Sequence, residues 1–145
     1  MTSAQIKEIT EEWHELGFHY SYDESSARWI ISGSRAGVLK FRDLLVEYSQ
    51  DKQREMISEH EHYGPYAYLK VTTRDKAFIN SDAIHGTLND IARLGKIVEQ
   101  RLAQCKVGDT LIIDKEYSLI NEAVIELKIQ TDEFDPVALD TNLLT

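Results

Sequence analysis

Apolar side chains recur at the spacing of an α-helix in three stretches, residues 3–16, 35–50 and 84–104. Ahead of the first stretch, Thr2 and Gln5 have the spacing of a capping box, in which each residue satisfies a backbone N–H at the helix start. The pattern predicts three amphipathic helices. Their apolar stripes are Ile6, Ile9, Trp13 and Leu16; Val38, Phe41, Leu45 and Tyr48; and Ile84, Leu88, Ile91, Val98 and Leu102.

Between these helices, apolar and polar residues alternate as they do in half-buried β-strands. The alternation predicts a hairpin over residues 18–32 and strands at 66–73, 110–114 and 123–130. Residues 51–62 are polar and fit either a loop or the start of the next strand.

The predicted element order is α-β-β-α-β-α-β-β, and residues 74–83 are expected to be a connection. Residues 123–130 expose every second side chain, a pattern typical of an antiparallel sheet with one solvated face. We therefore predict an α+β fold, with an antiparallel sheet of about five strands and helices on one face. Residues 1–131 are predicted to form a single domain, and residues 132–145 an acidic C-terminal tail.

Composition narrows the classes of function. The 145 residues carry a net charge of −9, which disfavours nucleic-acid binding because that requires a basic surface. No apolar run is long enough to cross a bilayer, so no membrane association is expected. The single cysteine, Cys105, excludes an internal disulfide, and with a charged N-terminus it favours a cytoplasmic location.

A candidate metal site lies in the segment EHEHYGPY. His60 and His62 are two residues apart and share one side of an extended chain, and His85 or Asp82 could supply a third ligand. The alternative interpretation is that these histidines are exposed residues at the start of a strand. No cofactor other than such a divalent metal is predicted.

The same segment is a candidate partner-binding surface. Tyr63, Tyr66 and Tyr68 are of the residue type favoured at protein interfaces, although tyrosine is also common in strands. Glu59 and Glu61 add negative charge suited to a basic protein partner, or could assist a metal bound nearby.

Two further segments resemble functional motifs only in part. His14 and His19 are five residues apart, one too many for a zinc-binding H-E-x-x-H helix, so that motif is rejected. Ser34 and Arg35 stand between a predicted strand and helix, where backbone N–H groups attract anions. The alternative is that Ser34 simply caps the helix. Cys105 follows a helix and is expected to be a packing residue.

Three segments are similar to parts of small bacterial proteins: GSRAGVLKFRDLL, HEHYGPYAYLKVTT and IHGTLNDIARLGKIVEQRL. Some of those families are grouped with the immunity proteins of polymorphic toxin systems. The resemblance covers about residues 28–130 in general layout. It implies a short acidic α+β domain that neutralises a toxin made by its own cell, and it carries over no functional residue.

Three hypotheses of function follow. The first is a non-enzymatic binding protein of immunity type, whose partner is a basic protein such as a toxin domain. The second is a metal- or small-molecule-dependent enzyme that uses His60, His62 and His85. The third is a structural or regulatory homodimer that forms through a sheet edge or a helix face. Strand 123–130 is the candidate edge, which Glu126 and Lys128 would guard.

Overall fold

Three helices occupy the stretches with helical spacing. The computed structural model, which describes residues 1–143, places α1 at Ser3–Leu16, α2 at Arg35–Gln50 and α3 at Leu88–Ala103. The capping box of Thr2 and Gln5 is present at the start of α1, as predicted. Capping therefore sets the beginning of α1, because it satisfies backbone N–H groups that have no partner within the helix.

The third helix begins four residues later than predicted. Thr87 accepts a hydrogen bond from the backbone N–H of Asp90, whose carboxylate accepts one from the Thr87 N–H in return. This second capping box fixes the helix start, and the preceding residues Ile84–Gly86 form a short strand instead.

Within residues 1–143, eight strands complete the fold, including one within residues 74–83, where a connection was predicted. Residues 51–62 contain a 3₁₀ turn at Lys52–Arg54 and run into a strand at their end. The strands are β1 (His19–Asp23), β2 (Arg28–Ser34), β3 (His60–Tyr63), β4 (Leu69–Thr73), β5 (Phe78–Ile79), β6 (Ile84–Gly86), β7 (Thr110–Ile113) and β8 (Val124–Gln130).

The strands form two four-stranded mixed sheets, so the fold is α+β but the single antiparallel sheet was a wrong prediction. The first sheet has the order β1-β2-β8-β7 and the second β3-β4-β6-β5. Each sheet contains one parallel pair, β2 with β8 and β4 with β6. The alternation in β8 shows only that one face of the strand is half-exposed. A strand with a parallel neighbour can also have such a face, so the alternation did not reveal the strand direction.

Strand β8 lies inside the first sheet, between β2 and β7. The edges of that sheet are β1 and β7. Glu126 and Lys128 consequently protect no edge, which corrects the prediction attached to the homodimer hypothesis.

One hydrophobic core joins the two sheets and the helices α2 and α3. The inner face of the first sheet is buried against α2, whereas Lys128 and Gln130 on its opposite face remain partly exposed. The largest fully buried side chains are Trp13, Phe18, Ile31, Phe41, Leu45, Leu69, Ile79, Ile84, Ile91, Leu94, Leu102 and Ile113.

Residues 136–139 of the C-terminal segment lie against α1. The segment forms two 3₁₀ turns, Pro136–Leu139 and Thr141–Leu143, and Asp140 between them is 3% exposed. The last two residues of the predicted tail lie outside the described part of the chain. Within residues 1–143, none of the helices has the length and apolar character needed to cross a bilayer.

Candidate functional sites

The two histidines of EHEHYGPY are adjacent and exposed. The rings of His60 and His62 lie 5.3 Å apart. The Nδ1 of His60 lies 3.1 Å from the carbonyl oxygen of Ser58, and that of His62 lies 2.8 Å from the carbonyl oxygen of Ala67. A carbonyl oxygen only accepts, so both Nδ1 atoms donate and each ring keeps its Nε2 unprotonated while neutral.

His85 lies apart from this pair. In the second sheet Thr72 pairs with His60 on one side and with His85 on the other, so the histidines are two strands apart. His85 is buried and stacks on Phe78, with ring centroids 4.2 Å apart. Its Nε2 lies 3.0 Å from the Asn80 Oδ1, an oxygen that also accepts two backbone N–H groups.

The environment of His85 keeps its ring neutral. Burial lowers the pKa of His85 to about 4, and the positive charge of Arg74 acts in the same direction. The Nδ1 of this neutral ring is buried and has no hydrogen-bond partner among the described residues. Within residues 1–143, no three His, Cys, Asp or Glu side chains are grouped to hold a metal ion.

The carboxylates of this region are engaged with cations. Asp82 lies 3.3 Å from the Lys70 ammonium, on the rim of the second sheet. Glu59 and Glu61 both contact the guanidinium of Arg54. These pairs reduce the charge that Glu59 and Glu61 can offer a partner.

A groove with stronger negative charge runs between α1, α2 and β3. Its carboxylates are Glu12 and Glu15 from α1 and Asp43 and Glu47 from α2, and Lys40 is its one lysine. We call it the acidic groove; its volume is about 590 Å³. Among the described residues, only Asp43 of these four carboxylates forms an ion pair, with neighbouring Arg42.

Tyr63 and His62 close one end of the acidic groove beside Gly64. Tyr63 is half-buried, and burial raises the pKa of its hydroxyl well above the usual range. The hydroxyl therefore stays protonated at any physiological pH. Tyr63 thus lines one end of the acidic groove.

Tyr66 and Tyr68 lie at a different cleft, which we call the aromatic cleft. It has a volume of about 790 Å³ and extends over strands β1, β2 and β8 to the C-terminal 3₁₀ turns. The predicted tyrosine cluster is therefore divided between two surfaces. Tyr66 is half-buried, whereas Tyr68 is 69% exposed.

The turn that carries these tyrosines is held in an unusual conformation. Gly64, Tyr66 and Ala67 have φ values of 73°, 69° and 57°, in the left-handed region that non-glycine residues rarely adopt. The Tyr20 hydroxyl donates to the Pro65 carbonyl and accepts from the Tyr68 N–H at 3.1 Å. These bonds hold the strained backbone in place.

The Tyr66 hydroxyl donates to the Oδ2 of Asp140 at 2.6 Å. Burial and this carboxylate together raise the pKa of Tyr66 to about 12. Asp140 also accepts the indole N–H of Trp13 on Oδ2 and the backbone N–H of Asn142 on Oδ1. The buried carboxylate thus accepts three hydrogen bonds from within the protein.

The side chains of the predicted anion site, Ser34 and Arg35, form hydrogen bonds within the protein. Ser34 caps α2 by accepting the Gly37 N–H at 3.1 Å, as the alternative interpretation had it. The Arg35 guanidinium donates to the carbonyl oxygens of Leu102 and Cys105 at the end of α3. Cys105 is buried, and burial raises the pKa of its thiol.

No family model, curated protein or solved structure matches this chain. Sequence analysis missed both the acidic groove and the buried His19 of the aromatic cleft. A signal for the groove was present, since Glu12 and Glu15 are three apart on α1, and Asp43 and Glu47 four apart on α2.

Proposed function

We propose that this protein is a non-enzymatic binding protein of immunity type, whose acidic groove receives a basic segment of a toxin domain. The observation that supports the proposal is the groove itself, in which three carboxylates, Glu12, Glu15 and Glu47, have no ion-pair partner among the described residues. Like charges held close together repel each other, and a cationic partner relieves that repulsion.

The overall charge supports the same partner. A net charge of −9 attracts a basic protein over long range and speeds its association. The half-buried ring of Tyr63 at the end of the groove adds a contact of the kind that contributes much of the affinity in protein interfaces. The groove supplies charge, and the tyrosine supplies apolar area.

The test uses the purified products of the neighbouring genes as probes, with affinity measured by isothermal titration calorimetry, and the proposal expects a basic toxin domain among them to bind. Changing Glu12, Glu15 and Glu47 to lysine reverses three charges within the groove. We expect this variant to bind at least about tenfold more weakly than its control, because buried charge pairs contribute strongly to affinity.

The control changes Glu24, Asp132 and Glu133 to lysine, three exposed acidic residues that do not line the groove. Both variants have the same net charge, so long-range attraction is matched between them. An equal loss of affinity in the two variants would show that the groove is not the binding surface. Failure of the unaltered protein to bind any neighbouring gene product would contradict the immunity-type function.

A further inference from the structure

The aromatic cleft has a floor of polar side chains whose hydrogen-bonding capacity is unused. His19 on β1, Ser32 on β2 and Lys128 on β8 occupy one row across the first sheet, since His19 pairs with Ser32 and Ser32 with Lys128. All three line the cleft. Paired residues of neighbouring strands project from the same face and lie about 5 Å apart, so the three polar groups stand side by side.

His19 and Ser32 are 8% and 2% exposed, yet their side chains form no hydrogen bond with residues 1–143. Their polar atoms are not sealed inside the protein, because neither is among the fully enclosed atoms that lack a partner. Because these atoms open onto the cleft, the row is available to hydrogen-bond a small molecule bound there.

The unused groups are suited to an acceptor. Burial lowers the pKa of His19, partly opposed by Asp140, so the ring is neutral and carries one N–H. Ser32 offers a hydroxyl, and Lys128 is the cation of the row. Lys128 lies 4.0 Å from a Glu126 oxygen, but that carboxylate is bound by Arg28 at 2.9 Å.

The walls of the cleft are aromatic. The rings of Tyr66 and Tyr68 are stacked, with centroids 6.2 Å apart, and Tyr68 exposes most of its surface. The Asp140 carboxylate also lines the cleft, and its oxygens already accept three hydrogen bonds from the protein. The volume of about 790 Å³ lies within the range of small-molecule sites.

We infer that the aromatic cleft binds a small aromatic carboxylate. Its ring contacts Tyr66 and Tyr68, and its carboxylate accepts hydrogen bonds from the row formed by His19, Ser32 and Lys128. Stacked aromatic pairs favour ring centroids 4.5–7 Å apart, and a charged acceptor strengthens each hydrogen bond of the row. This site is separate from the acidic groove and does not depend on the proposed function.

Titration of the ¹⁵N-labelled protein, followed by two-dimensional NMR, tests the inference. The probes are benzoate and 4-hydroxyphenylacetate, with benzamide as the uncharged counterpart and cyclohexanecarboxylate as the non-aromatic one. We expect saturable shifts of the His19, Ser32 and Lys128 amides with the two aromatic carboxylates. Benzamide should bind about tenfold more weakly, because it loses a charge-assisted hydrogen bond.

Substitution identifies the groups responsible. Lys128→Gln should weaken benzoate binding about tenfold, and Tyr68→Ala should remove the preference for benzoate over cyclohexanecarboxylate. Lys106→Gln is the matched control, an exposed lysine outside the cleft that should leave binding unchanged. The inference is overturned if neither aromatic carboxylate saturates, if benzamide binds equally well, or if Lys128→Gln binds benzoate like the unaltered protein.

Discussion

The indole nitrogen of Trp13 donates a hydrogen bond of 2.8 Å to the carboxylate of Asp140, 127 residues away in the chain. The Tyr66 hydroxyl reaches the same oxygen. One buried carboxylate therefore joins helix α1, the turn before β4 and the C-terminal segment. These three parts also form one wall of the aromatic cleft, so the hydrogen bonds that hold the segment also shape the cleft.

We predict that Asp140→Ala lowers the free energy of unfolding by at least about 2 kcal/mol, because it leaves the donors of Trp13 and Tyr66 without an acceptor. Urea denaturation measures the change. Asp132→Ala is the control, since Asp132 is exposed, and it should shift stability by less than about 0.5 kcal/mol. Equal effects of the two substitutions would contradict the role of Asp140.

Stability should fall in mild acid because of His85. Burial lowers the pKa of His85 from 6.5 in the unfolded chain to about 4 in the folded protein. Between these values the unfolded chain takes up a proton that the folded protein does not, so lowering the pH favours unfolding. The loss of unfolding free energy between about pH 7 and pH 4 is on the order of 3 kcal/mol, from this group alone.

The control for this pH dependence is His85→Gln, which cannot titrate. The variant loses the stacking on Phe78 and the hydrogen bond to Asn80, which lowers its absolute stability, so the comparison is between slopes rather than levels. Urea denaturation at a series of pH values should give the unaltered protein the steeper decline. His19 contributes in the same direction, because burial also lowers its pKa, and its share persists in the variant. Parallel pH profiles would refute the assignment to His85.

Ala67→Gly should stabilise the protein by about 0.5–1 kcal/mol. Ala67 is exposed and has a φ of 57°, a conformation that glycine adopts without strain. Ala92→Gly is the matched control, since Ala92 is also exposed but lies inside α3, where glycine costs about 1 kcal/mol. Thermal denaturation should show shifts of opposite sign, and a loss of stability in both variants would contradict strain at Ala67.

Gly37→Ala should destabilise the protein although Gly37 lies in a helix. Alanine in a helix normally gains about 1 kcal/mol over glycine, but a Cβ at this position would lie 2.3 Å from the carbonyl oxygen of Gly17. Backbone cannot move aside as a side chain can, so we expect a net loss of about 2 kcal/mol. Gly95→Ala, where the nearest atom belongs to the Val46 side chain at 3.1 Å, should be less harmful in urea denaturation.

Local signals in the sequence predicted the helices well. The first capping box and the helical spacing of apolar residues placed α1 and α2 correctly, since both depend on residues near in the chain. The start of α3 was missed because Ile84 fits the helical stripe by spacing, although it belongs to β6. The spacing of apolar residues alone could not show whether Ile84 belongs to the helix or to a strand before it.

The pairing of the strands could not be predicted from the sequence. The residues of β8 pair with residues of β2 that lie more than ninety positions earlier in the chain. The alternation of apolar and polar residues shows which face of a strand is buried, but not which strand lies beside it. Strands of two or three residues, such as β5 and β6, are too short to show a period. The two sheets therefore had to come from the structure.

The candidate sites were predicted in part. His60 and His62 are neighbours as expected, because a spacing of two fixes their side in a strand. The relation of His85 to them depends on the pairing of β4 with β6, which no local pattern encodes. The acidic groove and the floor of the aromatic cleft combine residues from separate elements, and only the packing of those elements brings them together.

The parallel pairing of β2 with β8 has a consequence for how the chain folds. Residues 28–34 cannot acquire their inner neighbour until residues 124–130 have been synthesised and brought alongside. Contacts between residues this far apart in sequence slow folding. The long loop between them loses conformational entropy when its ends come together, before the contacts can form. During synthesis the hairpin of β1 and β2 exposes an unpaired edge for most of the time the ribosome needs to complete the domain.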